Sequence, residues 1–327
     1  MRRRDFFKAV VGSATAWPFA AQAQQSSGRV VGFLGLTSPE AFAPQVVAFK
    51  QGLAETGFVE GQNVAIEYHW ARGQFDQLSA LASDLVRQGV DVIAALGSPA
   101  CGIAAKAATA TIPIVFVTGS DPVGMGLVDS LNRPTGNATG IYMLTSSLEP
   151  KRVELMREAV PNAQTIGVIV DPDSPDTVQQ MKELTSAASA LGRQLKIISA
   201  SSGSDVEAGF ATMAAQGVGA VVVASAPIYF AQRDKFVTAA ARYGIPTVYF
   251  VRDFADEGGL MSYGTSLPDA NRQAGLYTGR ILKGDKVADL PVQQSVKVEL
   301  VINLKTAKSL GLSIPLPLLG RADAVIE

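Results

Sequence analysis

The 327-residue sequence contains one cysteine, Cys101, and one histidine, His69. A single cysteine cannot form a disulfide framework, and the pair cannot supply the repeated Cys and His ligands of a zinc site. His69 has no serine elbow or acid–base partner near it and reads as a half-exposed strand residue. Cys101 follows Ala100 in an apolar helical stretch and reads as a small buried residue rather than a nucleophile. Charge is sparse and balanced, at 28 Lys+Arg against 29 Asp+Glu. No clustered basic face is present, which excludes nucleic acid as a partner. Gly-x-Ser-x-Gly and Walker loops are missing, and Gly32-Phe33-Leu34-Gly35 fails the Gly-x-Gly-x-x-Gly dinucleotide pattern. A hydrolase or dehydrogenase would need to be assembled from dispersed carboxylates, so no enzyme, cofactor or metal is expected.

The N-terminus reads as an export signal over residues 1–23. Arg2-Arg3-Arg4-Asp5-Phe6-Phe7-Lys8 supplies a positive start, Ala9 to Ala20 a short apolar stretch, and Ala21-Gln22-Ala23 a small-x-small cleavage site. Arg3-Arg4 with the following Asp5, Phe6, Phe7 and Lys8 resembles a twin-arginine signal; an arginine-rich Sec signal is the alternative. The stretch is too short to span a bilayer and contains Pro18. No cysteine lies at the cleavage site, so a periplasmic protein without a lipid anchor is expected. Without residues 1–23 the chain keeps 24 basic and 28 acidic side chains. No later stretch is long and apolar enough to cross a membrane.

One strand–loop–helix–strand unit occurs twice. Val90 to Leu96 leads through Gly97-Ser98-Pro99 and an alanine-rich helix to Ile112-Pro113-Ile114-Val115-Phe116. Val218 to Ala224 leads through Ser225-Ala226-Pro227 and a second helix to Ile245-Pro246-Thr247-Val248-Tyr249-Phe250. Short apolar runs bounded by small polar residues and proline are the pattern of βαβ units in a buried parallel sheet. The spacing predicts two α/β Rossmann-like lobes, each a parallel sheet flanked by helices. Lobe 1 is expected over 29–141 plus about 265–290, and lobe 2 over 142–264 plus about 291–327. Further expected elements include a helix opening at Ser38-Pro39 and ending near Thr56, and an edge strand from Val64 to Trp70. A helix over Asp269 to Leu282 is expected to pack on lobe 1. Thr139 to Met143, Leu260 to Gly264 and Val296 to Ile302 are expected to cross between the lobes as a multi-strand hinge.

Ligands of open parallel sheets bind beyond the carboxyl ends of the strands, where helix N-termini present N–H groups. The corners here are Leu36-Thr37-Ser38, Gly97-Ser98-Pro99, Thr118-Gly119-Ser120-Asp121, Asp171 to Ser174, and Ser225-Ala226-Pro227. Any one of them can be a plain N-cap; their convergence on one cleft makes the candidate site. The acids of Asp171-Pro172-Asp173-Ser174-Pro175-Asp176 lack the glycine turn and distal glutamate of a calcium loop and suit a helix start. Arg252-Asp253 either pair with each other or meet a zwitterionic ligand. Tyr142, Tyr229 and Tyr263 fall where an aromatic wall could stand, or are ordinary half-buried tyrosines.

With these features in view the chain resembles the substrate-binding proteins of bacterial ABC importers, of the type I periplasmic fold and its tryptophan-importer-like branch. The resemblance rests on Gly52 to Val64, Asp121-Pro122-Val123-Gly124-Met125-Gly126-Leu127-Val128, Arg133 to Gly140, and Gly279-Arg280-Ile281-Leu282-Lys283-Gly284. It implies a solute receptor that closes around a small organic ligand and delivers it to an ABC permease in the inner membrane. The ligand it implies is an aromatic or branched amino acid, or a related apolar carboxylate. A periplasmic enzyme on the same scaffold and a sensor-input binding protein are the alternatives, and a monomer is expected. The ligand-binding set expected from corners and resemblance together is Leu36, Thr37, Gly97, Ser98, Pro99, Thr118, Asp121, Tyr142, Asp171, Ser225, Ala226, Arg252, Asp253 and Tyr263. In the stretch Ser225-Ala226-Pro227-Ile228-Tyr229 the sequence departs from the more polar corner of tryptophan binders.

Overall fold

The apolar runs of the duplicated unit become central strands of two separate sheets. A computed structural model describes residues 28–295 and 297–327, so the expected export signal and Val296 lie outside the described residues. The chain forms β1 (Arg29–Gly35), β2 (Val64–Trp70), β3 (Val92–Leu96), β4 (Ile114–Thr118) and β5 (Ala138–Tyr142). These are followed by β6 (Thr165–Val170), β7 (Gln194–Ser199), β8 (Ala220–Val223), β9 (Thr247–Tyr249) and β10 (Met261–Thr265). Near the C-terminus come β11 (Gln293–Gln294), β12 (Val298–Asn303) and β13 (Ala324–Ile326). The first sheet has the order β11-β5-β4-β3-β1-β2 and the second β13-β12-β10-β9-β8-β6-β7. Pairing is parallel except between β10 and β12. The chain is thus an α/β protein of two parallel-dominated sheets flanked by helices.

Strands such as β3 and β8 are buried along their whole length, because helices cover both faces. β2 lies at an edge and alternates buried with exposed residues over Val64 to Glu67, as its sequence alternation requires. Two apolar layers sandwich each sheet. On the first, Phe33, Phe49 and Leu53 belong to one layer and Leu34, Leu85 and Phe116 to the other. On the second, Val168 and Met156 face one side and Val221, Phe210 and Phe236 the other.

Helix Leu267–Leu282 leaves the second sheet and packs against helix Ala43–Glu55 on the first. Two glycines make the approach possible. A Cβ on Gly52 would sit 1.8 Å from the Arg272 carbonyl oxygen, and one on Gly275 2.1 Å from that of Phe49. Only hydrogen fits there, and the helix backbones touch.

The chain passes between the sheets after β5, after β10 and after β11. β10 belongs to the second sheet throughout, so the passage expected at Leu260 to Gly264 comes after Thr265. There the Thr265 hydroxyl donates to the Met143 carbonyl, tying two passages together. The helix expected from Ser38-Pro39 begins instead at Ala43, with Pro44 in its first turn. Ser38 closes a preceding turn, its carbonyl accepting from Phe42 N at 3.1 Å and its hydroxyl from Ala41 N at 3.3 Å.

Candidate ligand-binding site

The corner after β3 is the most regular. Ser98 is the N-cap of helix Pro99–Ala108; its Oγ accepts from Ala100 N at 3.1 Å and Pro99 takes the first helical position. That bond uses Ser98 Oγ as an acceptor, so its proton can face the cleft at the positive end of a ten-residue helix, whose next N–H, from Cys101, goes to Ser98 O at 3.1 Å. Gly97 before it has φ +85°, and a Cβ there would meet the Phe42 ring at 3.1 Å. The left-handed turn and the overlying ring both call for glycine. Phe42 in turn rests edge-on against Trp70, 6.0 Å between ring centroids.

Opposite, the corner after β8 is held by buried polar side chains. Ser225 N donates to Glu149 Oε1 at 2.9 Å, and Gln180 Nε2 donates to Ser225 O at 2.7 Å and Ser225 Oγ at 2.9 Å. Gln180 also reaches Asp176 Oδ2 at 3.2 Å. The Asp176 carboxylate accepts from Ser174 Oγ and Ser120 Oγ, each at 2.5 Å. Ser120 follows β4 of the first sheet and Asp176 follows β6 of the second, so this hydrogen bond spans the gap between the lobes.

Between these corners lies a cleft of about 650 Å³ including its mouth. Thr37, Gly97, Ser98, Pro99, Ser225 and Ala226 of the expected set line it. Apolar walls come from Phe42, Val117, Met143, Pro227, Phe230, Phe250, Val251 and Leu267, and further polar surface from Gly119, Ser120, Thr145, Asp176 and Asn271. Both lobes contribute. The lining contains a carboxylate, Asp176, and neither lysine nor arginine.

The remaining expected residues fall outside this lining. Leu36 is fully buried in an apolar layer of the first lobe. Thr118 turns its hydroxyl onto the backbone of Ser120, and Asp121 caps Val123 N at 3.0 Å. Tyr142 contacts Ser147 Oγ at 3.3 Å, and the Tyr263 carbonyl accepts from Arg152 at 2.9 Å. Asp171 is buried and accepts from Asp173 N at 3.1 Å; burial, followed by the charges of Asp173 and Asp176, pushes its carboxyl up to about 6. Arg252 pairs with Asp256 at 3.1 Å on the exposed face of a short helix, not with Asp253. Burial raises the Asp253 carboxyl above its usual range. Tyr229 faces the core, its hydroxyl donating to Ala200 O at 2.8 Å.

The expected set omits Phe42 and Asn271, and also Ser120 and Asp176, which lie in a named corner and in the acidic stretch read as a helix start. The signal for Asn271 was present. It heads a stripe of Asn271, Ala274, Gly275, Thr278 and Gly279 at helical spacing, where a polar side chain stands on a face otherwise built for close packing.

Residues 31–326 match the model of the family described as ABC transporter substrate binding protein. A tyrosine-binding protein of Clostridioides difficile (strain R20291) is 26% identical over 264 residues, 81% of this chain and 75% of that protein. Among solved structures, an ABC domain from Streptococcus pneumonia in complex with L-Trp overlays with a TM-score of 0.82 at 25% identity, over 91% of this chain and 100% of that one. A ligand-free, open substrate-binding protein with adhesive properties from Clostridium difficile overlays at 0.65, also at 25% identity, over 91% and 99%. At equal identity the overlay is tighter on the L-Trp complex than on the open, ligand-free form.

Proposed function

Since the chain belongs to the ABC transporter substrate binding protein family, we propose that it is an exported solute receptor for an aromatic amino acid, acting with an ABC permease. The observation that carries the reading is the lining of the cleft. An anionic side chain, Asp176, the helix start at Ser98 and a few hydroxyl and amide groups stand in a cavity with walls of phenylalanines and aliphatic residues. A zwitterion with a large apolar side chain matches that lining. Its carboxylate would take the Ser98 hydroxyl at the positive end of the helix, and its ammonium would face Asp176. The positive end of the helix and the cleft hydroxyls take the place of a basic side chain for one carboxylate. Relatives whose names record tyrosine and L-Trp support the same class.

The mechanism we infer is a population shift. A ligand touching both walls binds the closed form more tightly than the open one and favours closure by that difference. The Ser120–Asp176 hydrogen bond and the better overlay on the ligand-bound relative fit a closed state. The sequence signal Arg3-Arg4 to Lys8 supports export to the periplasm.

The test is calorimetry of purified protein with L-tyrosine, L-tryptophan, L-leucine, tyramine and 3-(4-hydroxyphenyl)propionate. Saturable binding of the aromatic amino acids, lost with the amine and acid analogues, is the expected result. Binding of the acid analogue as tight as tyrosine would replace the amino acid with an apolar carboxylate. Turnover of any bound compound would replace the receptor with an enzyme.

A further inference from the structure

Leu144 has φ +57°. Among the described residues only Arg72 shares that combination of a side chain and a positive φ, and Arg72 lies in an exposed turn. Leu144 lies instead on the first passage between the sheets. The left-handed region crowds a leucine Cβ against the following carbonyl oxygen, and such strain persists only where the surroundings hold it.

Those surroundings belong to different lobes. The residue before, Met143, donates its N–H to Thr118 O of the first sheet at 2.8 Å. The residue after, Thr145, accepts at its carbonyl from Arg152 at 2.9 Å, on helix Glu149–Ala159 of the second lobe. Leu144 is thus where the chain changes lobes, and both of its neighbours line the cleft. Thr145 also comes back against the first lobe: a Cβ on Gly119 would meet Thr145 Cβ at 3.0 Å and Oγ1 at 3.2 Å. The next residue of that lobe, Ser120, makes the bond to Asp176. Thr145 and Asp176, both held in the second lobe, therefore touch consecutive residues of the first.

We propose that Leu144 is a sprung hinge point. The closed cleft holds it left-handed; as the lobes part, Thr145 leaves Gly119 and Leu144 relaxes to an ordinary negative φ. The strain counts against the closed form and lowers its share before a ligand arrives. Where the open form dominates, apparent affinity falls by the same factor, which favours release of the solute. This rests on the closing motion inferred above.

The test compares Leu144→Gly with Leu144→Ala, which both lose the leucine side chain and differ by the Cβ that creates the strain. Dyes on Val47→Cys and Val178→Cys, exposed positions of the first and second lobes, report lobe separation in the ligand-free protein by single-molecule energy transfer; Cys101 is buried. The closed-to-open ratio should be about five- to thirtyfold higher in the glycine form than in the alanine form. Calorimetric affinity for L-tryptophan should rise with it. Equal ratios and equal affinities would overturn the hinge and leave the closing motion standing. One unchanging population in every form, with or without saturating L-tryptophan, would overturn both. Failure of L-tryptophan to bind would count against the ligand reading alone, and the ligand-free ratio would still decide the hinge. Should circular dichroism show the glycine form unfolded, Leu144→Asn takes its place, since asparagine also tolerates the left-handed region.

Discussion

Glu149 and Arg152 form an ion pair at 2.9 Å with neither side chain exposed to solvent. Glu149 also receives the N–H of Ser225 at the cleft, while Arg152 donates to the carbonyls of Thr145 and Tyr263, each at 2.9 Å. Thr145 lies on the passage that follows β5, and Tyr263 lies on β10 just before the next passage. One buried pair thus joins a wall of the candidate cleft to the segments by which the chain passes between the two sheets.

Breaking this pair from one side strands a charge. Arg152→Met leaves Glu149 buried without its cation and two hinge carbonyls without their donor. A loss of about 3–5 kcal/mol is expected in urea denaturation. Glu149→Gln keeps an acceptor for Ser225 N and should cost less. A loss under about 1 kcal/mol for Arg152→Met would mean the pair does not hold the hinge.

On the proposed closing motion, the bridge from Ser120 to Asp176 forms only when the lobes come together. Ser120→Ala should weaken ligand binding by about 0.5–1.5 kcal/mol, with thermal stability of the ligand-free protein nearly unchanged. Calorimetry and a thermal melt read the two effects separately. An equal drop in both would make Ser120 a fold residue rather than a closure residue.

Asp171 makes stability depend on pH in a predictable direction. Its folded pKa, raised to about 6, lies above the ordinary value of 3.8, so the folded state holds the proton more tightly. Stability conferred by the neutral acid is full below the unfolded value and declines as pH rises from about 4 to 6. Asp171→Asn should flatten that decline and stabilise the protein at pH 7.5 by on the order of 1–3 kcal/mol. Denaturation at pH 4, 5, 6 and 7.5 checks the window. A parallel pair of curves would refute it.

Cys101 is fully buried, and burial pushes its thiol up to about 12. The native protein should resist iodoacetamide and an aromatic disulfide reagent at pH 8, then react with one equivalent in guanidinium. Rapid labelling of native protein would show that helix Pro99–Ala108 opens locally.

The strands were readable because a sheet covered on both faces needs unbroken apolar runs, as in Val92–Leu96 and Ala220–Val223. Ser98-Pro99 was readable because cap and proline are adjacent and act locally. Ser38-Pro39 carries the same local signal, yet the helix starts at Ala43: the preceding turn sets Phe42 over Gly97, a contact between distant segments. The cleft was legible as strand-end corners and less so as side chains. Asp171 and Asp176 look alike in sequence, but the turn at Pro172 to Ser174 carries the later carboxylate to Ser120. Asn271 reaches the same cleft from a segment far along the chain, brought there by paired glycines.

Helix Leu267–Leu282 and β11 complete the first sheet's lobe with residues that follow five of the seven strands of the second sheet. During synthesis, the half that starts first must therefore wait for the far end of the polypeptide before it can finish. No single backbone cut yields two self-sufficient fragments, and a chain halted before residue 267 exposes the face of helix Ala43–Glu55 that carries Gly52.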